Sequence, residues 1–349
     1  MPFYQIIYQN IMKRVLKKLG LGLLALILIL VVVYLLGPTP DTPQLATKLP
    51  TIDTPLTQLD QLIANKEKQV TDLRPDNESR IIWADTTQKT PTEYAIVYLH
   101  GFSASWMEGE PVHRRFAQRF GCNLYLPRLA KHGIGNQDAF LDLTEDALYN
   151  SAKEAVAIGK KLGKKVIIMA TSTGGLLGLH IAAHHPEIAA LILYSPLIRL
   201  YPSATQLLDK PWGLQIARLA LGDDYYDFTK TSNQLKQQYW TTRYRLEATV
   251  MLQNLVMNSM TEEIFKKVKQ PLFLGYYYKD EANQDKTVSV AAMKQMFAQI
   301  STPAQQKQMV AFPKAGAHVI ASKLTSKDYQ KVLDETEKFA KNVLKLKED

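Results

Sequence analysis

Residues 167–175, Ile-Ile-Met-Ala-Thr-Ser-Thr-Gly-Gly, end an apolar run in small side chains. An apolar helical pattern follows at Leu176, Leu177, Leu179, Ile181, Ala182 and Ala183. The pattern predicts a buried strand, a tight turn and a helix, with Ser172 at the bend. A serine held there lifts its hydroxyl above the end of a sheet, where the N–H groups opening the next helix can face a developing negative charge. Ala170-Thr171-Ser172-Thr173-Gly174 matches Gly-x-Ser-x-Gly except for the alanine in first place. The small residues let the strand and helix backbones approach. A serine hydroxyl is a weak nucleophile until a base takes its proton, and the base in turn needs an acid to orient it. His318, in Ala315-Gly316-Ala317-His318-Val319, lies in the loop after an expected strand and comes downstream of Ser172. His113, His132, His180, His184 and His185 fit that order and placement less well. The acid is expected in the loop after the strand at 271–276, where Asp280, Glu281 and Asp285 compete. Asp285 is favoured because an apolar residue and a helix start follow closely, and Asp280 is the alternative. A tetrahedral intermediate also needs N–H donors, each worth ~3 kcal/mol by mutational loss. The backbone N–H groups of Thr173 and of Phe102, in His100-Gly101-Phe102-Ser103, are the expected oxyanion hole. His100 is expected to brace that loop by hydrogen bonding rather than to titrate.

These residues need a scaffold. Apolar periodicity predicts helices at 55–69, 111–120, 145–162, 174–184, 290–300 and 327–346. It predicts strands at 79–87, 94–99, 123–126, 165–169, 190–194, 271–276 and 306–312. Strands alternating with helices of this length imply an α/β fold, a mostly parallel sheet covered on both faces. Residues 197–268 break the rhythm with Trp212, Trp240, several tyrosines and a helical stretch at 246–257. Inserted at the carboxyl end of a strand, they are expected to form a lid over the site.

The N-terminal part reads differently. Residues 19–36 are almost all Leu, Ile and Val and carry no charge. At ~1.5 Å per residue they reach ~27 Å, close to the ~30 Å hydrocarbon core of a bilayer. Lys13, Arg14, Lys17 and Lys18 stand on the N-terminal side and supply four of the nine excess positive charges. The expectation is a cytoplasmic basic segment at 1–18, an uncleaved transmembrane signal anchor at 19–36 and a linker at 37–54. The body at 55–349 is then expected on the outer side of the membrane, periplasmic or extracellular. The linker is rich in Pro and Thr, so it is expected to be an extended spacer holding the body off the membrane. Phe3, Ile6, Ile7, Ile11 and Val15 have helical spacing suited to lying along the inner membrane face. The single cysteine, Cys122, excludes an intrachain disulfide and a cysteine-based zinc or iron–sulfur site. No basic stripe interleaved with aromatics suggests nucleic acid.

His-Gly-Phe at 100–102, Leu126-Pro127-Arg128 with His132-Gly133, the serine turn, the acid loop and Gly-Ala-His at 316–318 occur in one order. With them the chain, from about 80 to 343, resembles the α/β-hydrolase family. It is most similar to the carboxylesterase and monoacylglycerol-lipase-like branch. The resemblance implies Ser172 as nucleophile, His318 as base, an acid within 280–285, and an oxyanion hole from Phe102 and Thr173. It implies a carboxylic ester or lipid as substrate, with no metal or organic cofactor. Ala170 and a long acid loop depart from the family pattern. An acyltransferase or peptidase on the same three residues, or an inactive membrane-tethered binding module, are the alternatives.

Overall fold

The computed structural model describes residues 2–136 and 138–349. Helix α1 (Pro2–Leu35) leads to α2 (Leu59–Lys68), β1 (Arg80–Ile82), β2 (Thr92–Leu99), α3 (Val112–Arg119) and β3 (Asn123–Leu126). Then come α4 (Glu145–Leu162), β4 (Gly163–Thr171), α5 (Thr173–His184) and β5 (Ala190–Tyr194). The insertion holds α6 (Gly213–Leu221), β6 (Tyr225–Asp227), α7 (Gln234–Tyr239), β7 (Arg243–Arg245), α8 (Glu247–Ser259) and α9 (Glu262–Lys267). The chain closes with β8 (Leu272–Tyr276), α10 (Val290–Gln299), β9 (Lys307–Ala311) and α11 (Tyr329–Asn342).

Seven strands form one sheet in the order β1-β3-β2-β4-β5-β8-β9, parallel throughout except for β1 against β3. The inner strands read as unbroken apolar runs because both of their faces are buried. Alternate residues enter two separate cores. Val97, Leu99, Ile168, Ala170, Leu191 and Leu193 pack toward α4 and α5. Ile96, Tyr98, Ile167, Met169, Ile192 and Phe273 pack toward α3 and α11. Register then lines up the strand ends. Leu99 pairs with Ala170, Thr171 with Tyr194, Tyr194 with Gly275, and Tyr276 with Ala311. The loops that leave β2, β4, β8 and β9 therefore rise from one edge.

The expected strand at 79–87 shrinks to β1, an edge strand. Beyond it the Asp85 carboxylate accepts the N–H groups of Thr87 and Gln88, and this turn replaces ladder pairing. The expected lid at 197–268 is not all lid. Phe265 of α9 and Leu255 and Val256 of α8 belong to the main core.

The N-terminal part also differs from expectation. Residues 3–15 do not form a separate interfacial helix. They continue the apolar stretch as the single helix α1, whose 34 residues span ~51 Å, well beyond a bilayer core. Residues 37–54 are extended but not free. Asp146 accepts the N–H groups of Gln44 and Leu45, and Lys153 donates to the carbonyls of Ala46 and Lys48. Asn254 donates to the Asp41 carbonyl, and Leu45 is buried in the core. A Pro-rich segment carries few internal backbone bonds, so its carbonyls are open to side chains of the body. It is a strap, not a spacer.

Candidate active site

Ser172 sits between β4 and α5 at φ 53° and ψ −118°, a conformation costing an L-residue about 1–3 kcal/mol. Four bonds hold it there. Its N–H donates to the Tyr194 carbonyl at 3.0 Å, and its carbonyl accepts from Gly175, Leu176 and Leu197 at 2.9, 3.2 and 2.9 Å. The turn also demands glycine at 174, because a Cβ there would stand 2.0 Å from the Leu99 carbonyl oxygen. Ala170 is tolerated in the position usually held by glycine because its methyl joins the core beside α5.

Asp285 is 1 % exposed. One of its oxygens, Oδ1, accepts the N–H groups of Thr287 and Val288 at 2.8 and 3.1 Å. The other, Oδ2, lies 2.6 Å from Nδ1 of His318, in the loop after β9. A carboxylate accepts, so Nδ1 carries the ring proton and Nε2 is left with its lone pair. Nε2 is buried and has no hydrogen-bond partner among the described residues. Burial pulls the His318 pKa down, but the charge and hydrogen bond of Asp285, helped by Glu108, outweigh it and raise the pKa. The His318 carbonyl is tied by the Ser195 hydroxyl at 2.8 Å. Asp280 and Glu281 do not join this pair. Asp280 accepts from the N–H groups of Ala282 and Asn283, and Glu281 from Tyr278 and Gln284, which folds the loop on itself.

Ser172, Thr173, Phe102 and His318 line one cavity of about 840 Å³, whose remaining wall is mostly apolar and comes from the insertion. The described contacts include no hydrogen bond between Ser172 and His318. Among the described residues, neither the Phe102 nor the Thr173 N–H finds an acceptor. The Phe102 loop is pinned from two sides. His100 donates from Nδ1 to the Gly101 carbonyl at 2.9 Å and accepts the Leu129 N–H on Nε2 at 3.1 Å. Burial lowers its pKa to about 4, against the opposing pull of the Gly101 bond, so it braces as a neutral ring.

The second pin was not legible in the sequence. Glu108, in a turn of 3₁₀ helix at Trp106–Gly109, is buried and accepts the Gly101 N–H on Oε2 at 2.5 Å. It also lines the cavity. Burial pushes its pKa up to about 7, offset in part by the Gly101 bond and by His318. The only available signal was one carboxylate in the otherwise uncharged stretch 101–109. The other histidines serve structure. His113 contacts the Trp106 carbonyl, His132 that of Ala130, and His185 that of Thr47 in the strap. Among the described residues no three His, Cys, Asp or Glu side chains converge to hold a metal ion.

Comparison with known proteins places the fold. The chain is 28 % identical over 97 residues to a thermostable monoacylglycerol lipase from Bacillus sp. (strain H-257). That match covers 28 % of this chain and only 38 % of that relative's length. Among solved structures, that of metagenome-derived lipolytic enzymes aligns over 76 % of this chain and 98 % of its own, with 17 % identity and a TM-score of 0.59. The monoacylglycerol lipase of Paleococcus ferrophilus aligns over 76 % and 98 %, with 13 % identity and a TM-score of 0.53. At such identities the structures show a shared fold. Residues 96–323, more than half of the chain, match the alpha/beta hydrolase family, and the protein is a member of it.

Proposed function

We propose that this protein is a membrane-anchored serine hydrolase that cleaves carboxylic esters through an acyl-enzyme. The observation carrying the reading is the buried Asp285–His318 pair, which leaves Nε2 unpartnered on a histidine that lines the same cavity as Ser172. Ser172 Oγ attacks the ester carbonyl while its proton passes to Nε2. The oxyanion is received by the free N–H groups of Phe102 and Thr173. His318 then gives the proton to the leaving alcohol. Water repeats the sequence on the acyl-enzyme and releases the acid. The step calls on no metal or organic cofactor. Asp285 acts by fixing the ring tautomer and by stabilising the imidazolium.

The apolar cavity favours esters with an apolar acyl chain, and the name of the Bacillus relative points the same way. The anchor is α1, with Lys13, Arg14, Lys17 and Lys18 on the cytoplasmic side and the hydrolase body outside. The test is hydrolysis of p-nitrophenyl esters of increasing chain length by the full chain in detergent, beside Ser172→Ala and His318→Ala. Each variant is expected to lose at least ~100-fold. A fluorophosphonate should label wild type and not Ser172→Ala. Equal labelling of both refutes Ser172 as nucleophile.

A further inference from the structure

The carboxyl end of α1 and the lid are joined. The Trp212 indole N–H donates to the Val33 carbonyl at 3.0 Å, and the Trp212 backbone N–H donates to the Pro38 carbonyl at 3.0 Å. The last carbonyls of a helix have no partner within it, so this bond satisfies one of them where α1 ends. Trp212 packs on Gly37 so closely that any side chain there would collide with its ring. It is also the residue that opens α6, held in the left-handed region at φ 64°.

α6 and the turn before it have an unusual surface. Leu219 is 86 % exposed and Leu221 55 %, with Leu207, Ile216 and Tyr201 also exposed. Leu207, Ile216 and Leu221 line the cavity above Ser172, whereas Leu219 does not, so α6 is apolar toward the cavity and, at Leu219, away from it. Arg218, the one charge on α6, is drawn to Asp224 and Glu247. An exposed apolar patch continuous with a span of this length calls for lipid rather than water. A tryptophan at the end of such a span sits at the depth where bilayers favour it.

We infer that the Tyr201–Leu221 face of the lid is seated in the outer leaflet beside the end of α1, so that the cavity takes its ester laterally from the bilayer. This rests on reading α1 as a membrane span. The strap supports it, because residues 37–54 run back along the body and leave no free tether to lift the lid away from the membrane. The substrate class is then a membrane-resident single-chain ester, whose acyl chain passes between α6 and the body.

The test uses the full chain in phosphatidylcholine–phosphatidylglycerol vesicles. Leu219 does not line the cavity, so Leu219→Glu probes the face alone. Hydrolysis of 1-oleoylglycerol in the bilayer should fall about five- to tenfold, with p-nitrophenyl acetate hydrolysis unchanged within about 1.5-fold. A Leu219→Cys variant carrying a fluorophore provides a second reading, since the native Cys122 is buried. Spin-labelled lipid should quench that fluorophore, and aqueous iodide should not. A carbonate-resistant chain whose Leu219 label is quenched by iodide, or a Leu219→Glu variant with full activity on 1-oleoylglycerol, overturns the seated lid and leaves the anchor standing. Release of the intact chain by carbonate overturns both the anchor and this inference. Absence of p-nitrophenyl acetate hydrolysis by wild type overturns the esterase reading instead.

Discussion

Asp285→Asn is the sharpest perturbation of the proposed mechanism. The amide oxygen can keep the two backbone bonds that Oδ1 makes to Thr287 and Val288, so the loop should hold its shape. The amide nitrogen then faces Nδ1 of His318, where a carboxylate oxygen stood at 2.6 Å. Two donors cannot share that contact, so the ring proton moves to Nε2 and the lone pair that would take the Ser172 proton is lost. The imidazolium also loses its counter-charge. Two unit charges ~4 Å apart interact by ~4 kcal/mol at an effective dielectric of ~20, or nearly three decades in rate. With the tautomer penalty added, kcat should fall about 10³–10⁴-fold. KM should change less than about threefold, because Asp285 does not line the cavity. The assay is steady-state hydrolysis of p-nitrophenyl butyrate at pH 8, with circular dichroism to check folding. Asp280→Asn, whose carboxylate only folds its own loop, should stay within twofold. A folded Asp285→Asn enzyme that keeps more than a tenth of wild-type kcat refutes the argument, as does an Asp280→Asn enzyme that loses as much.

Other outcomes follow from the same geometry. The base works deprotonated and the His318 pKa is raised, so kcat/KM should decline as pH falls through a midpoint above 6.5. Asp285→Asn removes the charge that raises it, and any residual activity should show the midpoint moved to lower pH in a profile from pH 5 to 9. Glu108→Gln keeps an acceptor for the Gly101 N–H, whereas Glu108→Leu leaves that group buried and unpaired at about 1–3 kcal/mol. Thermal melting should therefore rank Glu108→Leu below Glu108→Gln, and equal midpoints would remove Glu108 as a pin of the loop. Gly174→Val places a Cβ 2.0 Å from a backbone oxygen, and neither backbone can yield. The variant is expected to be insoluble or inactive, and a soluble, active protein would contradict the turn geometry. Cys122 is buried, and that burial pushes its thiol up to about 12. Iodoacetamide at pH 8 should leave the folded chain unmodified and label it in urea, as mass spectrometry would read.

Local features were readable from the residues themselves. The strand, turn and helix around Ser172 follow from an apolar run, four small residues and a second apolar period, each acting within a few residues. The alternation of strands and helices from β2 to α11 followed for the same reason, and so did the parallel sheet, since buried strands with long crossovers have few other arrangements. The first half of α1 is amphipathic and its second uniformly apolar, which hides their unity in the sequence, yet nothing between them breaks a helix. Among three acids within six positions at 280–285 the sequence favoured Asp285 over Asp280 only through the apolar residue and helix start that follow it. The paired ends of β8 and β9 bring the His318 loop to Asp285, while Asp280 and Glu281 spend their oxygens on neighbours. Glu108, the docking of the strap and the absorption of α9 into the core were likewise decided by contacts between segments far apart in the chain. Steric turn preferences and hydrophobic period act over one turn or one strand and are written in neighbouring letters. Which buried carboxylate meets which donor depends on distances that exist only once the sheet has assembled.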